Sequence, residues 1–136
     1  MRRRKARAAD LLGPLEARVM AVVWGAPGIS GAEATEAVSS GRDVPLSQRT
    51  IVTVLTRLDA KGYLTHTVDG RSFRYRAALS EAELVERHAR QAVVALIDRY
   101  GDDAVIAGLL DVGVDAAALA RVEAALERHR TRGRET

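Results

Sequence analysis

The sequence contains no cysteine and no asparagine, and among its 136 residues only one Trp, one Phe and three Tyr are aromatic. The absence of cysteine excludes disulfides, thiolate metal sites and cysteine nucleophiles. The three histidines, His66, His88 and His129, are scattered without the spacing of a metal site. We therefore expect no metal and no cofactor, and a core filled mainly by Leu, Val and Ala.

No apolar run approaches the roughly 20 residues that a membrane-spanning helix needs. The basic start, MRRRKARAAD, is similar to the beginning of an export signal, but Pro14, Glu16 and Arg18 interrupt the apolar stretch that should follow. Length and composition fit one globular domain, or a small domain with a helical extension. We expect a soluble, cytoplasmic protein.

Charge is distributed unevenly along the chain. Residues 1–77 carry 13 Lys and Arg against 7 Asp and Glu, whereas residues 78–136 carry 8 against 11. A basic first half is typical of a protein that meets a polyanion such as nucleic acid. A random scatter of arginines gives the same imbalance, so charge alone leaves both interpretations open.

Catalytic motifs are missing from the sequence. It has no G-x-S-x-G elbow, no P-loop, no G-x-G-x-x-G and no H-E-x-x-H. His66 and His88 lie within apolar patterns, which is more typical of core or interface histidines than of catalytic bases. We therefore expect that the protein is not an enzyme.

Two helices are predicted before residue 40. In the stretch GPLEARVMAVVWG, Pro14 stands where the first turn of a helix tolerates proline, and apolar residues follow at helical spacing. Ser30 and Glu33 have the spacing of a capping box, which predicts a second helix over about 31–38. The residues expected to point inward from it are Ala34, Ala37 and Val38.

A third helix is predicted over about 48–61, with Ser47 as its N-cap and Gly62 just after its end. Its apolar residues recur at i, i+3, i+4 and i+7, which predicts one buried face. The residues of that face are Ile51, Val54, Leu55 and Leu58.

Apolar residues alternate with polar ones on both sides of Asp69-Gly70, which is typical of a β-hairpin. Helix, helix, helix and hairpin is the order of a winged helix-turn-helix. The predicted fold class is therefore α+β, mostly helical. We expect a winged helix-turn-helix DNA-binding domain at residues 1–78 and a C-terminal helical dimerisation domain at residues 79–136.

Ser80 and Glu83 form another capping box, and three amphipathic helices are predicted after it. Three short helices of this kind do not enclose a core, so their apolar faces need either the first domain or a second copy of the chain. We expect a homodimer. The side chains expected at its interface are Leu84, His88, Ala92, Leu96, Val105, Ile106, Leu109, Leu119, Val122 and Leu126.

The third helix keeps a polar and basic face outside its buried stripe. A helix in the DNA major groove presents its N-terminal half to the bases, where arginine pairs with guanine and glutamine with adenine. Threonine hydroxyls on the same face are expected at phosphates, and the hairpin arginines suit a wing beside the DNA backbone. A merely solvated strand face is the alternative for those arginines. The residues expected to contact DNA are Gln48, Arg49, Thr50, Val52, Thr53, Thr56, Arg57, Arg71, Arg74 and Arg76.

The blocks LGPLEARVMAVVW, RTIVTVLTRLDAKGYL and GRSFRYRAALSEAE resemble, in order and spacing, those of the penicillinase-repressor (BlaI/MecI) family, which includes copper-responsive repressors. The resemblance implies a homodimeric repressor of dyad operators with TACA and TGTA half-sites, and base-contacting positions at Arg49, Thr50, Val52 and Thr53. Val52 replaces a basic residue of other members, so its contact should be apolar. The double-stranded operator is thus the expected partner.

The resemblance also bears on how the operator is released. The copper-responsive branch carries a cysteine metal site, which this chain lacks. The penicillinase branch is released by cleavage at an Asn-Phe bond, with a membrane sensor-protease as the inducing partner, and this chain has no asparagine. Either another bond is cut or another inducing stimulus operates.

The residues leave one alternative function open, and two interpretations of the basic start of the chain. In a winged-helix protein–protein interaction module the third helix faces a protein, but such modules tend to lose the arginines that this helix and wing retain. The basic start of the chain is either an arm for the minor groove or a disordered segment that steers association with DNA.

Overall fold

A computed structural model of the chain describes residues 5–135, and the side chains at 126, 129, 130 and 132–135 fall outside that description. The described residues form helices and one small sheet, which confirms the α+β, mostly helical fold class. The elements are α1 (Ala8–Leu11), α2 (Pro14–Gly25), β1 (Ile29–Ser30), α3 (Gly31–Ser39), α4 (Gln48–Ala60), β2 (Leu64–Asp69), β3 (Ser72–Ala77), α5 (Glu81–Tyr100), α6 (Asp102–Asp111) and α7 (Ala116–Glu135).

The chain divides into two compact units, Met1–His88 and Ala89–Thr136, and the division falls within α5. The first unit thus extends past the boundary predicted at residue 78. Two side chains beyond that boundary, Leu79 and Leu84, are buried in its core. The indole Nε1 of Trp24 in α2 also donates a hydrogen bond of 2.9 Å to the Leu79 carbonyl.

The core of the first unit is enclosed by α2, α3, α4 and the sheet. The predicted stripe of α4 is buried in full. In α3, Ala34 and Val38 are buried as predicted, but Ala37 is exposed. The prediction for Ala37 is wrong because the buried face of α3 follows the i, i+4 pair, and Ala37 lies about 100° round the helix from Val38.

Both ends of α4 are fixed by local hydrogen bonds. Ser47 Oγ accepts from the Thr50 N–H at 3.1 Å, as an N-cap does. At the other end Gly62 has φ +81°, its N–H donates to the Asp59 carbonyl at 2.9 Å, and the Tyr63 N–H donates to the Leu58 carbonyl at 3.0 Å. This is a Schellman motif, and it turns the chain from α4 into β2.

The sheet is antiparallel, with strand order β1-β3-β2. Asp69 pairs with Ser72, so the hairpin loop is Gly70-Arg71, one residue later than predicted. Gly70 has φ +63°, a conformation that glycine adopts without steric cost. The two-residue strand β1 was not predicted, because two residues carry no periodicity.

The second unit contains α6, α7 and the C-terminal part of α5. None of the side chains described between 89 and 131 is buried, although the helices are rich in apolar residues. Among the described residues, no helix has both the length and the apolar character that crossing a membrane requires. The large apolar side chains most exposed in this unit are Val93, Leu96, Tyr100, Leu110 and Val112.

Candidate nucleic-acid interface

The first turn of α4 presents three consecutive exposed side chains, Gln48, Arg49 and Thr50. The Thr50 hydroxyl lies 2.8 Å from Ser47 Oγ, the N-cap of the same helix. The cap therefore holds the backbone and one side chain of this turn in a defined position. The first turn of α4 thus exposes an amide, a guanidinium and a hydroxyl group, the kinds of group that read base edges.

The next outward positions of α4 differ from one another. Thr53 is exposed, and its hydroxyl donates to the Arg49 carbonyl at 2.8 Å. Val52 is only partly exposed, because its Cγ2 packs on Gly31, where an added Cβ would meet it at 3.0 Å. Val52, which we expect to contact DNA, thus also packs on the first residue of α3.

Further along α4, Glu16 of α2 faces two cations. Lys61 Nζ lies 3.0 Å from Glu16 Oε2, and Arg57 Nη1 lies 3.9 Å from Glu16 Oε1. The Arg57 side chain is still 55% exposed. Because the shorter bond is to Lys61, Arg57 remains accessible to a second anion.

The β2–β3 hairpin, residues 64–77, is called the wing below, and its three arginines fall into two kinds. Arg71 and Arg76 are exposed, and no ion pair with a described residue engages either of them. Arg74 is engaged on three sides: Nε donates to Asp69 Oδ2 at 3.0 Å, and Nη1 donates to Glu33 Oε1 at 3.0 Å and to the Gly28 carbonyl at 3.3 Å. Nε and Nη1 of Arg74 thus already face acceptors of the protein, while 39% of its side chain stays exposed, so the predicted contact with a phosphate is left to Nη2.

The hydrogen bonds and charges around Arg74 favour the charged forms of both Arg74 and Glu33. The hydrogen bond from Arg74 to Asp69 and the nearby Glu33 carboxylate raise the pKa of Arg74. Hydrogen bonds from Ser30, its hydroxyl first and then its backbone, lower the pKa of Glu33, and Arg74 lowers it further. Glu33 thus accepts from the wing while it also completes the capping box of α3 with Ser30.

The apolar face of the hairpin is buried only near its base. Tyr75 is buried. Burial raises the pKa of Tyr75 and the nearby Asp59 raises it further, whereas a side-chain hydrogen bond with Thr56 lowers it. Thr56 is thus a neighbour of the hairpin, and it is also exposed as predicted. Towards the loop, Val68 and Phe73 are 69% and 47% exposed. The alternating pattern does not reveal this, because it carries no information about where the core ends along a strand.

The predicted dimer-interface residues do not share one environment. Leu84 is fully buried within the core of the first unit, so its assignment to the interface is wrong: no surface of it is left for a partner. His88 is half-buried, and its Nε2 lies 2.9 Å from the Tyr63 hydroxyl. Ala92 and Leu96 are exposed. The half-buried members are Val105, Ile106, Leu109, Leu119 and Val122, and the side chain of Leu126 lies outside the described residues.

A metal centre is not formed by the described residues, since no three His, Asp or Glu side chains among them are grouped so that they could hold an ion.

Comparison with known proteins gives one family and several structures. The model of a family described as penicillinase repressor matches residues 12–128. No match is found among curated proteins. FabT of Streptococcus pneumoniae, solved in complex with DNA, is similar at 14% identity over 91% of this chain and 77% of that chain, with a TM-score of 0.45.

Two further solved structures are similar to the chain. The transcriptional regulator SlyA is 15% identical over 92% of this chain and 78% of that chain, with a TM-score of 0.44. The PcaV transcriptional regulator of Streptomyces coelicolor, solved in complex with its natural ligand, is 28% identical over 78% of this chain and 76% of that chain, with a TM-score of 0.43.

Proposed function

Because the chain belongs to the penicillinase repressor family, a family of DNA-binding transcriptional regulators, we propose that it represses transcription by binding a dyad-symmetric operator as a homodimer. The observation that carries this proposal is the capped, exposed first turn of α4, with Gln48, Arg49 and Thr50 in a row. The working place of such a repressor is the cytoplasm, and the half-sites are of the TACA and TGTA type that the sequence resemblance implies.

In this proposal α4 enters the major groove with its N-terminal turn first. Arg49 reads guanine and Gln48 reads adenine, since their side chains carry the matching pairs of hydrogen-bonding groups. Thr50 and Thr53 add methyl and hydroxyl contacts. Val52 contributes only the part of its side chain that α3 leaves uncovered, as an apolar contact to a thymine methyl.

The DNA backbone is held by cations on either side of α4. Arg57 is exposed on the helix, and Arg71 and Arg76 are exposed on the wing. Contacts of this kind neutralise phosphates and release counterions, so they set affinity and its salt dependence without reading sequence. Thr56 lies on the same outward face and positions a further phosphate.

A second copy of the chain covers the apolar side chains of the second unit. Those helices bury no described side chain of their own, yet they expose Leu96, Leu110 and Val112. Large apolar side chains exposed in this number along a short helical segment are what we expect of a surface that a partner covers. A two-fold dimer then presents two copies of α4 to two half-sites, spaced by about one DNA turn, ~34 Å, or a multiple of it.

The exposed arginines of α4 and the wing favour DNA over a protein as the occupant of this surface. A gel-shift titration with a TACA/TGTA dyad duplex, and with a duplex of the same composition in scrambled order, tests the proposal at two salt concentrations. We expect tighter binding to the dyad, and affinity for both duplexes that falls as salt rises. Equal, salt-insensitive affinity for both would reject a sequence-specific DNA-binding role.

A further inference from the structure

Arg74 stands where three parts of the first unit meet. Its own strand β3 pairs with β1, where Ser30 is its partner, and Asp69 lies across the hairpin in β2. The Gly28 carbonyl belongs to the turn between α2 and β1, and Glu33 belongs to the first turn of α3. The guanidinium of Arg74 therefore contacts the wing, the turn that follows α2, and α3.

The geometry of the contacts needs an arginine and not merely a positive charge. Nε and Nη1 donate in different directions to two carboxylates and a carbonyl. The planar fork of arginine holds several donors at fixed angles, whereas the lysine ammonium is a single point at the end of a flexible chain. Glu33 Oε1 also accepts from the Ser30 N–H, so its carboxylate is held from a second direction as well as by Arg74.

We propose that Arg74 is a positioning residue that fixes the wing against the helix-turn-helix, and that it is not a phosphate contact. This inference rests on the proposed function, because the wing's position matters only if the wing meets DNA. Arg71 and Arg76 then carry the phosphate contacts of the wing. Arg76 is a matched control, since it lies on the same strand face two residues away, is exposed, and has no ion pair with a described residue.

The first test compares substitutions that keep the charge with substitutions that remove it. Operator affinity is measured over a salt series for Arg74→Lys, Arg74→Ala, Arg76→Lys and Arg76→Ala, after circular dichroism has confirmed that each variant is folded. For Arg76 we expect the lysine variant to stay near wild type, and the alanine variant to lower the salt slope by about 0.9. For Arg74 we expect both variants to bind roughly tenfold more weakly with an unchanged slope, because neither reproduces the fork.

The second test removes the negative charges that face Arg74 and leaves Arg74 in place, which keeps the inference testable if Arg74→Ala does not fold. In the double variant Glu33→Gln, Asp69→Asn, glutamine preserves the capping box and the protein loses two negative charges. If Arg74 were a phosphate contact, its release and the lost repulsion would tighten operator binding. In a positioning role the loss of these two ion pairs loosens the wing, so we expect no gain in affinity.

The outcomes separate the inference from the proposed function. If wild type and the Arg76 variants show no specific binding, the proposed function fails. If wild type binds specifically but Arg74→Lys matches it, or Arg74→Ala lowers the salt slope as Arg76→Ala does, the inference fails and the function stands. A rise of about fivefold or more in the affinity of the double variant would overturn the inference as well, since released arginine would then be meeting phosphate.

Discussion

Asp59 Oδ2, in the last turn of α4, lies 2.6 Å from Nδ1 of His66 in β2, so a side-chain contact joins the proposed recognition helix to the wing. The His66 ring also lies 4.7 Å from the ring of Phe73 on the neighbouring strand. This contact is made on the opposite face of the hairpin from Arg74, since strand residues alternate between faces. The wing is thus held against the helices from both of its faces.

The two partners of this contact should differ in their effect on stability. Asp59→Asn removes only the charge of an exposed pair, so we expect the free energy of unfolding to fall by less than about 1 kcal/mol. His66→Ala also removes the contact with Phe73, and should cost about 0.5–1.5 kcal/mol more. Urea denaturation of both variants at one protein concentration measures the difference. An Asp59→Asn variant that is the less stable of the two would contradict this assignment.

Leu84 and Leu96 lie on the same helix and should respond differently to replacement by alanine. Leu84 is fully buried in the first unit, so Leu84→Ala should lower the free energy of unfolding by about 2–5 kcal/mol. Leu96 is 47% exposed, so Leu96→Ala should leave the first unit intact and weaken self-association. Denaturation and sedimentation of each variant distinguish the two effects. If Leu84→Ala lost dimers but kept the stability of wild type, Leu84 would lie at the dimer interface after all.

Arg49 should contribute to the choice of sequence more than to general affinity for DNA. Arg49→Ala should weaken operator binding by about 1–3 kcal/mol and leave binding to a scrambled duplex largely unchanged. Arg90→Ala, which removes an exposed arginine outside the first unit, is the control and should change neither affinity. Competition gel shifts provide the measurement. An equal loss on both duplexes would make Arg49 a phosphate contact.

The lowered pKa of Glu33 predicts a loss of stability in acid. Because its hydrogen bonds with Ser30, and then Arg74, favour the carboxylate, the folded state binds the Glu33 proton less tightly than the unfolded chain does. The stabilisation is therefore complete above the ordinary pKa of 4.5 and is lost as the pH falls through the lower, folded-state value.

This loss can be isolated by substitution within α3. From about pH 5 to about pH 3, Glu33→Gln should lose less stability than wild type, because it has no carboxylate to protonate at this position. Glu36→Gln, an exposed glutamate on the same helix, is the control and should follow wild type. Thermal unfolding of the three proteins across this range is the measurement. If wild type and Glu33→Gln lost stability in parallel, Glu33 would not be the source of the loss of stability in acid.

Local chemistry made much of the fold predictable. The serine caps at Ser30, Ser47 and Ser80 and the stripe of α4 need only neighbours within four residues, and they are confirmed. The environment of Leu84 was not predictable in this way. One apolar stripe runs the length of α5, and nothing in its spacing shows that its first turn completes the core of one unit while later turns are exposed.

The candidate site was predictable in its location but not in the role of each side chain. An exposed arginine and a bridged arginine look the same in sequence. Arg74 differs from Arg76 through its bonds to Asp69 and to Glu33, and Glu33 lies more than 40 residues away in the chain. The packing of Val52 on Gly31 is likewise a long-range contact. Such contacts depend on the tertiary fold, which the residue pattern of a single helix or strand does not specify.

The central claim is that two copies of the chain hold one dyad operator through α4. Sedimentation velocity with a labelled dyad duplex tests it most directly, using wild type and Leu119→Asp, which places a charge at the proposed interface at a cost of several kcal/mol. We predict two protomers per duplex for wild type. The variant should be monomeric and bind the full dyad weakly, because each half-site alone gives little affinity. A monomeric variant that occupies the dyad with wild-type affinity, or wild type that binds as a single protomer, would contradict the account.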